Sequence, residues 1–393
     1  MLQTLGRASV GLTLTLAGAV SPRAWRARRS TGKTRIACQA YSVHLAQFLT
    51  PVVAELQRDA DVEVTFLVLQ HPQFPLRVTQ DLRRFVQDEW GLPPERILCH
   101  GEALWTAFDL VLYTDVYAKF PWRAARHAVL MHGAGLTPRM FEPHPLRKSI
   151  ADFDAVLVNG EYDAREARRV LGQGSGRTRL FVAGFPYLDE LEHPAESRAT
   201  YVTRLGLDPN RPTILFAPHW EALRIVRRTP CYVNEVVAAL ASLDVNVVLK
   251  LHACSLNRAM GGPVDWAAEA ASLETTGVLR VDRDLDDVPA LRHTDLMITD
   301  VSSRSFVFMM LGKPVVLYSP LSGRWDRVSR DRRQLMEQGS VVAADAAEIP
   351  ALVADAERRG WTNPSGLSVG RECYAYQGRA TERVVAILKD VLR

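Results

Sequence analysis

Two kinds of hydrophobic segment alternate along the chain. Short apolar runs at 36–39, 62–69, 97–99, 110–113, 128–131, 155–158 and 180–183 read as buried strands, too unbroken for a sheet with one wet face. A second series follows at 213–217, 245–251, 278–281, 296–299 and 315–318. Between them, residues 45–56, 81–89, 161–171, 231–243 and 265–274 carry apolar positions at helical spacing. The chain closes on another such stretch, 381–392, with Val384, Val385, Ile387, Leu388 and Leu392 on one side. Strand and helix in alternation predict parallel sheets covered on both faces, the doubly wound α/β class. A chain of 393 residues exceeds one ordinary core, so two such domains are expected. We divide it into an arm at 1–34, a first domain at 35–190, a second at 191–371 and a C-terminal helix at 372–393.

The segment 295–318 is the most informative. A buried strand at 296–299 leads into Asp300-Val301-Ser302-Ser303, a short helix with apolar residues at 306, 307, 309, 310 and 311, the stop Gly312-Lys313-Pro314, and a second strand. Serines at that turn suit an anion held at the carboxyl edge of an open sheet. They suit plain helix capping equally well.

Charge changes the picture at one end only. The chain carries 48 Lys and Arg against 44 Asp and Glu. Residues 1–35 contain Arg7, Arg23, Arg26, Arg28, Arg29, Lys33 and Arg35 and no acid, which leaves 41 cationic against 44 acidic side chains beyond them, a net of −3. A protein-wide nucleic-acid surface is therefore excluded. The cations follow the apolar stretch 8–20 instead of preceding it, which argues against an export signal and fits contact with an anionic membrane face. Five cysteines with no paired spacing point to reduced thiols in a cytoplasmic setting, and offer no metal-finger pattern.

Polar clusters end four separate strands: His132-Gly133-Ala134-Gly135, Pro218-His219-Trp220-Glu221, Lys250 to His252, and Asp300 with Ser302 and Ser303. One histidine after one strand is usually structural. Four clusters at strand ends point to a site, because those ends share an edge.

In chain order, His132-Gly133, Gly184-Phe185-Pro186-Tyr187-Leu188-Asp189, Leu215-Phe216-Ala217-Pro218-His219-Trp220, Lys250-Leu251-His252, Thr299-Asp300-Val301-Ser302-Ser303 and Lys313-Pro314 resemble the motifs of CDP-glycerol glycerophosphotransferases, the bacterial teichoic-acid primases and polymerases. Gln377 to Arg383 resembles the family's C-terminal segment. The resemblance implies the GT-B architecture: two Rossmann-like doubly wound domains, a cleft between them, the donor held mainly by the second, and a closing C-terminal helix. It implies transfer of glycerol phosphate from CDP-glycerol, or of a related polyol phosphate, to the hydroxyl of a polyprenyl-linked or saccharide acceptor, with release of CMP and with no metal or other cofactor. His132 would be the general base, since an imidazole accepts a proton near neutrality. His252, Ser302 and Ser303 would hold the donor pyrophosphate, with Asp300, Lys250 and His219 beside them. Outside the shared motifs, Arg224, Arg227 and Arg228 would either supply positive charge that contacts phosphate or acceptor, or form a solvated loop face. The enzyme would work in the cytoplasm, on the inner face of the membrane.

The chain also departs from that pattern. His219 stands where the family commonly has threonine, Glu221 where it has arginine, Ala253 where it has proline, and Val307 where it has an acid. The missing acid implies either weak donor binding or a substitute carboxylate, for which Glu221 and Asp326 are the expected sources. A nucleotide-sugar glycosyltransferase or epimerase of the same architecture is the alternative reading, and a non-catalytic nucleotide-binding scaffold is a second.

Overall fold

The computed structural model describes residues 32–68, 76–103, 106–116, 126–134, 149–172, 176–220, 223, 230–256, 262, 264–318 and 330–393. The apolar and basic arm up to residue 31, Glu221, Arg224, Arg227, Arg228 and the loop around Asp326 lie outside the described residues. The chain forms two compact units. The first comprises Met1–His132, Pro138–Asp189 and Ala375–Arg393, and the second comprises Gly133–Thr137 and Glu190–Tyr374.

In the first unit β1 (Thr34–Ala40), β2 (Val62–Val68), β3 (Ile97–Cys99), β4 (Leu110–Tyr113), β5 (Arg126–Leu130), β6 (Ala155–Val158) and β7 (Arg179–Val182) form one sheet in the order β3-β2-β1-β4-β5-β6-β7. All its pairings are parallel. Cys38 sits opposite Phe66 on one side and Leu112 on the other, at the centre of the apolar run. Its thiol is buried, which pushes it up to about 12 and keeps it protonated. The described cysteines Cys38, Cys99, Cys254 and Cys373 form no disulfide. Strand order reverses between β1 and β4, the switch point at which such sheets open a crevice beyond their carboxyl ends.

The second unit repeats the plan. β8 (Thr213–Phe216), β9 (Asn246–Leu249), β10 (Arg280–Val281), β11 (Leu296–Thr299), β12 (Val315–Tyr318) and β13 (Val341–Ala343) are parallel in the order β10-β9-β8-β11-β12-β13. Its reversal falls between β8 and β11. Ile214, Phe216, Leu296, Ile298 and Trp266 pack in the core on one face. The helix Val288–His293 ends under Lys313, whose Nζ donates to the carbonyls of Leu291, Arg292 and Thr294 at 3.2, 2.5 and 2.6 Å. Burial pulls this amine down to about 7, whereas three carbonyl acceptors favour the ammonium. The geometry decides for the charged form, because a neutral amine has one proton too few for three acceptors.

Several elements differ from the sequence expectation. The helix at 45–56 is two, Val43–Gln47 and Thr50–Gln57, because Pro51 enters the first turn of the second. The strand β13 and the helix Pro364–Cys373 were not expected from hydrophobic spacing. β13 has three residues with Val341 and Val342 exposed. The helix presents glycine where an apolar residue would be sought: a Cβ on Gly370 would lie 2.2 Å from the Met310 amide nitrogen. Glycine lets this helix lie directly on Arg304–Met310.

The C-terminal helix, Ala380–Leu392, packs in the first unit against Thr50–Gln57. Asp189 holds its start, accepting from the Ala380 and Thr381 amides at 3.0 and 2.7 Å. Gly184, at φ +80°, passes so close that a Cβ would fall 2.4 Å from the Ala375 carbonyl oxygen and 2.7 Å from the Ala380 Cβ. The motif 184–189 and the segment 377–383 thus form one clamp. Asp189→Ala should cost about 0.5–2 kcal/mol in urea unfolding, as lost N-caps do. Gly184→Ala should cost more, because backbone must move; equal or smaller loss would contradict the clamp.

Candidate active site

In the first unit the candidate base is placed by the strand next to the switch point. His132 follows β5, and its Nδ1 lies 2.6 Å from the carbonyl oxygen of Thr114, which follows β4. A carbonyl can only accept, so the proton sits on Nδ1 and the lone pair on Nε2. The imidazole stacks on Phe48 (centroids 5.8 Å, 23°), which is itself wedged between Phe185 and Tyr187 at 5.0 and 5.1 Å. Hydrogen bond and aromatic wall together fix both tautomer and ring plane. Beside Thr114, Asp115 accepts from the Tyr41 hydroxyl at 2.7 Å and from the Val116 amide at 2.6 Å, which holds the turn carrying the Thr114 carbonyl. Thr114 and Phe48 were missed in the sequence. A Thr-Asp pair closing an apolar strand was the available signal for the first.

In the second unit three adjacent strands, β9, β8 and β11, deliver His252, His219 and Asp300 to the same edge. The rings of His219 and His252 are 6.1 Å apart, and the His219 amide donates to Asp300 Oδ1 at 3.1 Å. His252 Nδ1 accepts from the Cys254 amide at 3.1 Å. An amide can only donate, so the neutral ring carries its proton on Nε2. His132 and His252 therefore hold opposite tautomers, one with a basic Nε2 and one with a donor Nε2.

Ser302 and Ser303 follow Asp300 into the helix Arg304–Met310. The Ser302 oxygens serve the turn: its hydroxyl accepts from the Arg304 amide at 3.3 Å, and its carbonyl from the Ser305 hydroxyl at 2.6 Å. Ser303, at the N-cap, makes no side-chain capping bond, so the pair is not simply two helix caps. Gly133, which belongs to this unit, has φ +76°, and a Cβ on it would meet Ser303 Oγ at 3.2 Å.

Two residues expected beside the donor, Lys250 and Asp300, already have partners within the fold. Lys250 is 2% exposed. Its Nζ pairs with Asp282 at 3.1 Å and donates to the carbonyls of Asp284 and Asp286 at 2.7 and 2.8 Å, which uses its three protons. Asp300 is 1% exposed and braces the His219 amide. Both are covered and already partnered at the strand ends. Val307 is likewise core: every residue from Ser305 to Met310 is buried. The substitutes expected for its missing acid, Glu221 and Asp326, and the arginines 224, 227 and 228, lie outside the described residues. Among the described residues no three His, Cys, Asp or Glu side chains gather as a metal-binding group.

Several known proteins resemble the chain. The family model described as CDP-Glycerol:Poly(glycerophosphate) glycerophosphotransferase matches residues 141–388. The structure of the wall teichoic acid polymerase TagF superposes with a TM-score of 0.67 at 13% identity, over 99% of this chain and 96% of that one. A histidine-to-asparagine variant of that polymerase soaked with CDPG gives 0.63 at 14%, over 92% and 89%. A putative UDP-N-acetylglucosamine 2-epimerase from Listeria monocytogenes gives 0.60 at 16%, over 91% and 96%. Identities this low speak for a shared fold, two Rossmann-like domains with parallel sheets. No curated protein sequence matches.

Because Val307 is 4% exposed, Val307→Asp tests what position 307 is for. A buried carboxylate without a partner should lower unfolding stability by roughly 3 kcal/mol or more. A stable variant that binds a cytidine nucleotide more tightly would instead make position 307 part of the site.

Proposed function

The chain belongs to the CDP-glycerol:poly(glycerophosphate) glycerophosphotransferase family, and from that premise we propose that it transfers glycerol phosphate from CDP-glycerol to an acceptor hydroxyl in cell-envelope polymer synthesis. His132 Nε2 takes the hydroxyl proton. The acceptor oxygen then bonds to the glycerol-bearing phosphorus, the bond from that phosphorus to the bridging oxygen breaks, and CMP leaves with that oxygen. His252, donating from Nε2, and the hydroxyls of Ser302 and Ser303 hold the donor phosphates and stabilise the charge that grows on the leaving CMP. Phosphoryl-group transfer asks a protein mainly for such placement and electrostatics. The acceptor hydroxyl belongs to a polyprenyl-linked or saccharide chain, and the basic arm rests on the anionic inner face of the membrane. Among the described residues no helix is long and apolar enough to cross a membrane.

The observation that carries the assignment is the Thr114 carbonyl on His132 Nδ1. It leaves the basic lone pair on Nε2 without a change of tautomer. Phosphate binding would instead call for a donor there, which is what the Cys254 amide arranges on His252.

His132→Ala should lower kcat by about a hundredfold or more while the calorimetric affinity for CDP-glycerol changes little. Unchanged turnover would move the base elsewhere, with His219 and His252 next in line. The same titrations run with CDP-ribitol and UDP-sugars fix the donor class: tight UDP-sugar binding with no CDP-polyol binding would replace this reading with that of a glycosyltransferase or epimerase.

A further inference from the structure

Asp287 breaks a local rule. It occupies the N-cap of the helix Val288–His293, where an aspartate ordinarily accepts a backbone amide, yet it makes no capping bond. The neighbouring Asp286 takes the Val288 amide instead, at 3.0 Å. Asp287 directs its carboxylate away from its own helix: Oδ2 lies 2.7 Å from Arg304, and Oδ1 lies 4.0 Å from Lys250. Arg304 is the first residue of the helix after Ser302 and Ser303, and its side chain is 12% exposed against 11% for Asp287.

These contacts continue inward. Lys250, at the end of β9, pairs with Asp282, which follows β10 and accepts from the Tyr201 hydroxyl at 3.0 Å. Tyr201, Asp282, Lys250, Asp287 and Arg304 thus run in sequence from beneath the sheet edge to the turn that carries the two serines. Two cations and two anions balance, so the network needs no counter-ion. Buried ion pairs add little net stability over well-packed apolar groups, so stability alone is a poor reason for this one. Geometry is a better reason, since residues that bear a ligand need supports that lock their conformation.

We propose that Asp287 and Arg304 are a positioning pair for the donor. The carboxylate pins the guanidinium, and the pinned side chain fixes the first turn of its helix, where the Arg304 amide donates to Ser302 Oγ. The spacing and direction of the Ser302 and Ser303 hydroxyls toward a diphosphate follow from that anchor. Neither residue touches the donor. The inference rests on the reading that the two serines hold the donor phosphates.

The test is calorimetry of CDP-glycerol against the full chain and its Asp287→Asn, Arg304→Gln, double and Ser302→Ala variants, with steady-state kinetics and thermal melts alongside. Each single substitution of the pair should weaken binding about tenfold, with kcat at saturating donor changed less than about threefold. The double variant should be no more than about twofold worse than either single one, the mark of residues acting through one contact. Asp287→Glu should recover most of the loss. Should Asp287→Asn fail to fold, Arg304→Gln and Arg304→Lys carry the measurement. Unchanged affinity with a lowered melting temperature would make the pair purely structural and overturn the proposal. Tighter binding in Asp287→Asn would also overturn it, by showing that Arg304 is itself a ligand restrained by the carboxylate. If Ser302→Ala weakens binding and the pair does not, this inference alone fails. If Ser302→Ala leaves affinity untouched, the donor reading beneath it falls too.

Discussion

A buried ammonium organises the second unit. Lys250 comes to rest at the end of β9 with Asp282, two backbone carbonyls and, further off, Asp287 around it. Removing one partner from such a group leaves an uncompensated charge and typically costs about 3–5 kcal/mol, so each member is required once the others are present. The carbonyls it holds belong to the loop 282–287, and that loop sets where the helix Val288–His293 begins. The far end of that helix is gathered by Lys313. The candidate donor edge is therefore held by two lysines, one under the strand ends and one behind them.

Polar residues at the same edge differ in burial and in partners. Polar side chains at the carboxyl edge of a parallel sheet can reach a ligand or brace the strands. Lys250, Asp300 and Ser302 are covered and partnered, while His219, His252 and Ser303 are part-exposed. The two candidate histidines differ in what their Nδ1 meets. A carbonyl faces His132 and an amide faces His252, and this alone assigns a basic nitrogen to one and a donor to the other.

Much of the fold was legible in the sequence because parallel strands buried on both faces read as unbroken apolar runs. The runs that became β4, β6, β11 and β12 match to the residue. What escaped was structure made by small or polar residues. The helix Pro364–Cys373 rests on Gly366 and Gly370, which leave no hydrophobic signature but permit close backbone approach. In the site, chemical type pointed to His132, His252 and the two serines, yet could not show that Lys250 is consumed by Asp282 or that Val307 faces a core. Partnership and burial are properties of the folded chain. Thr114 was invisible for a related reason: it acts through its carbonyl, which every residue has.

In the proposed reaction phosphorus, and not a sugar carbon, is the centre attacked. The most direct measurement is phosphorus NMR of the full chain turning over CDP-glycerol with a saccharide or polyprenyl-linked acceptor. The two coupled diphosphate resonances of the donor should decay together, replaced in equal amounts by a CMP monophosphate signal and a new phosphodiester signal. A CDP-glycerol spectrum that stays unchanged, while a UDP-sugar under the same conditions releases UDP with its diphosphate intact, would contradict that reaction.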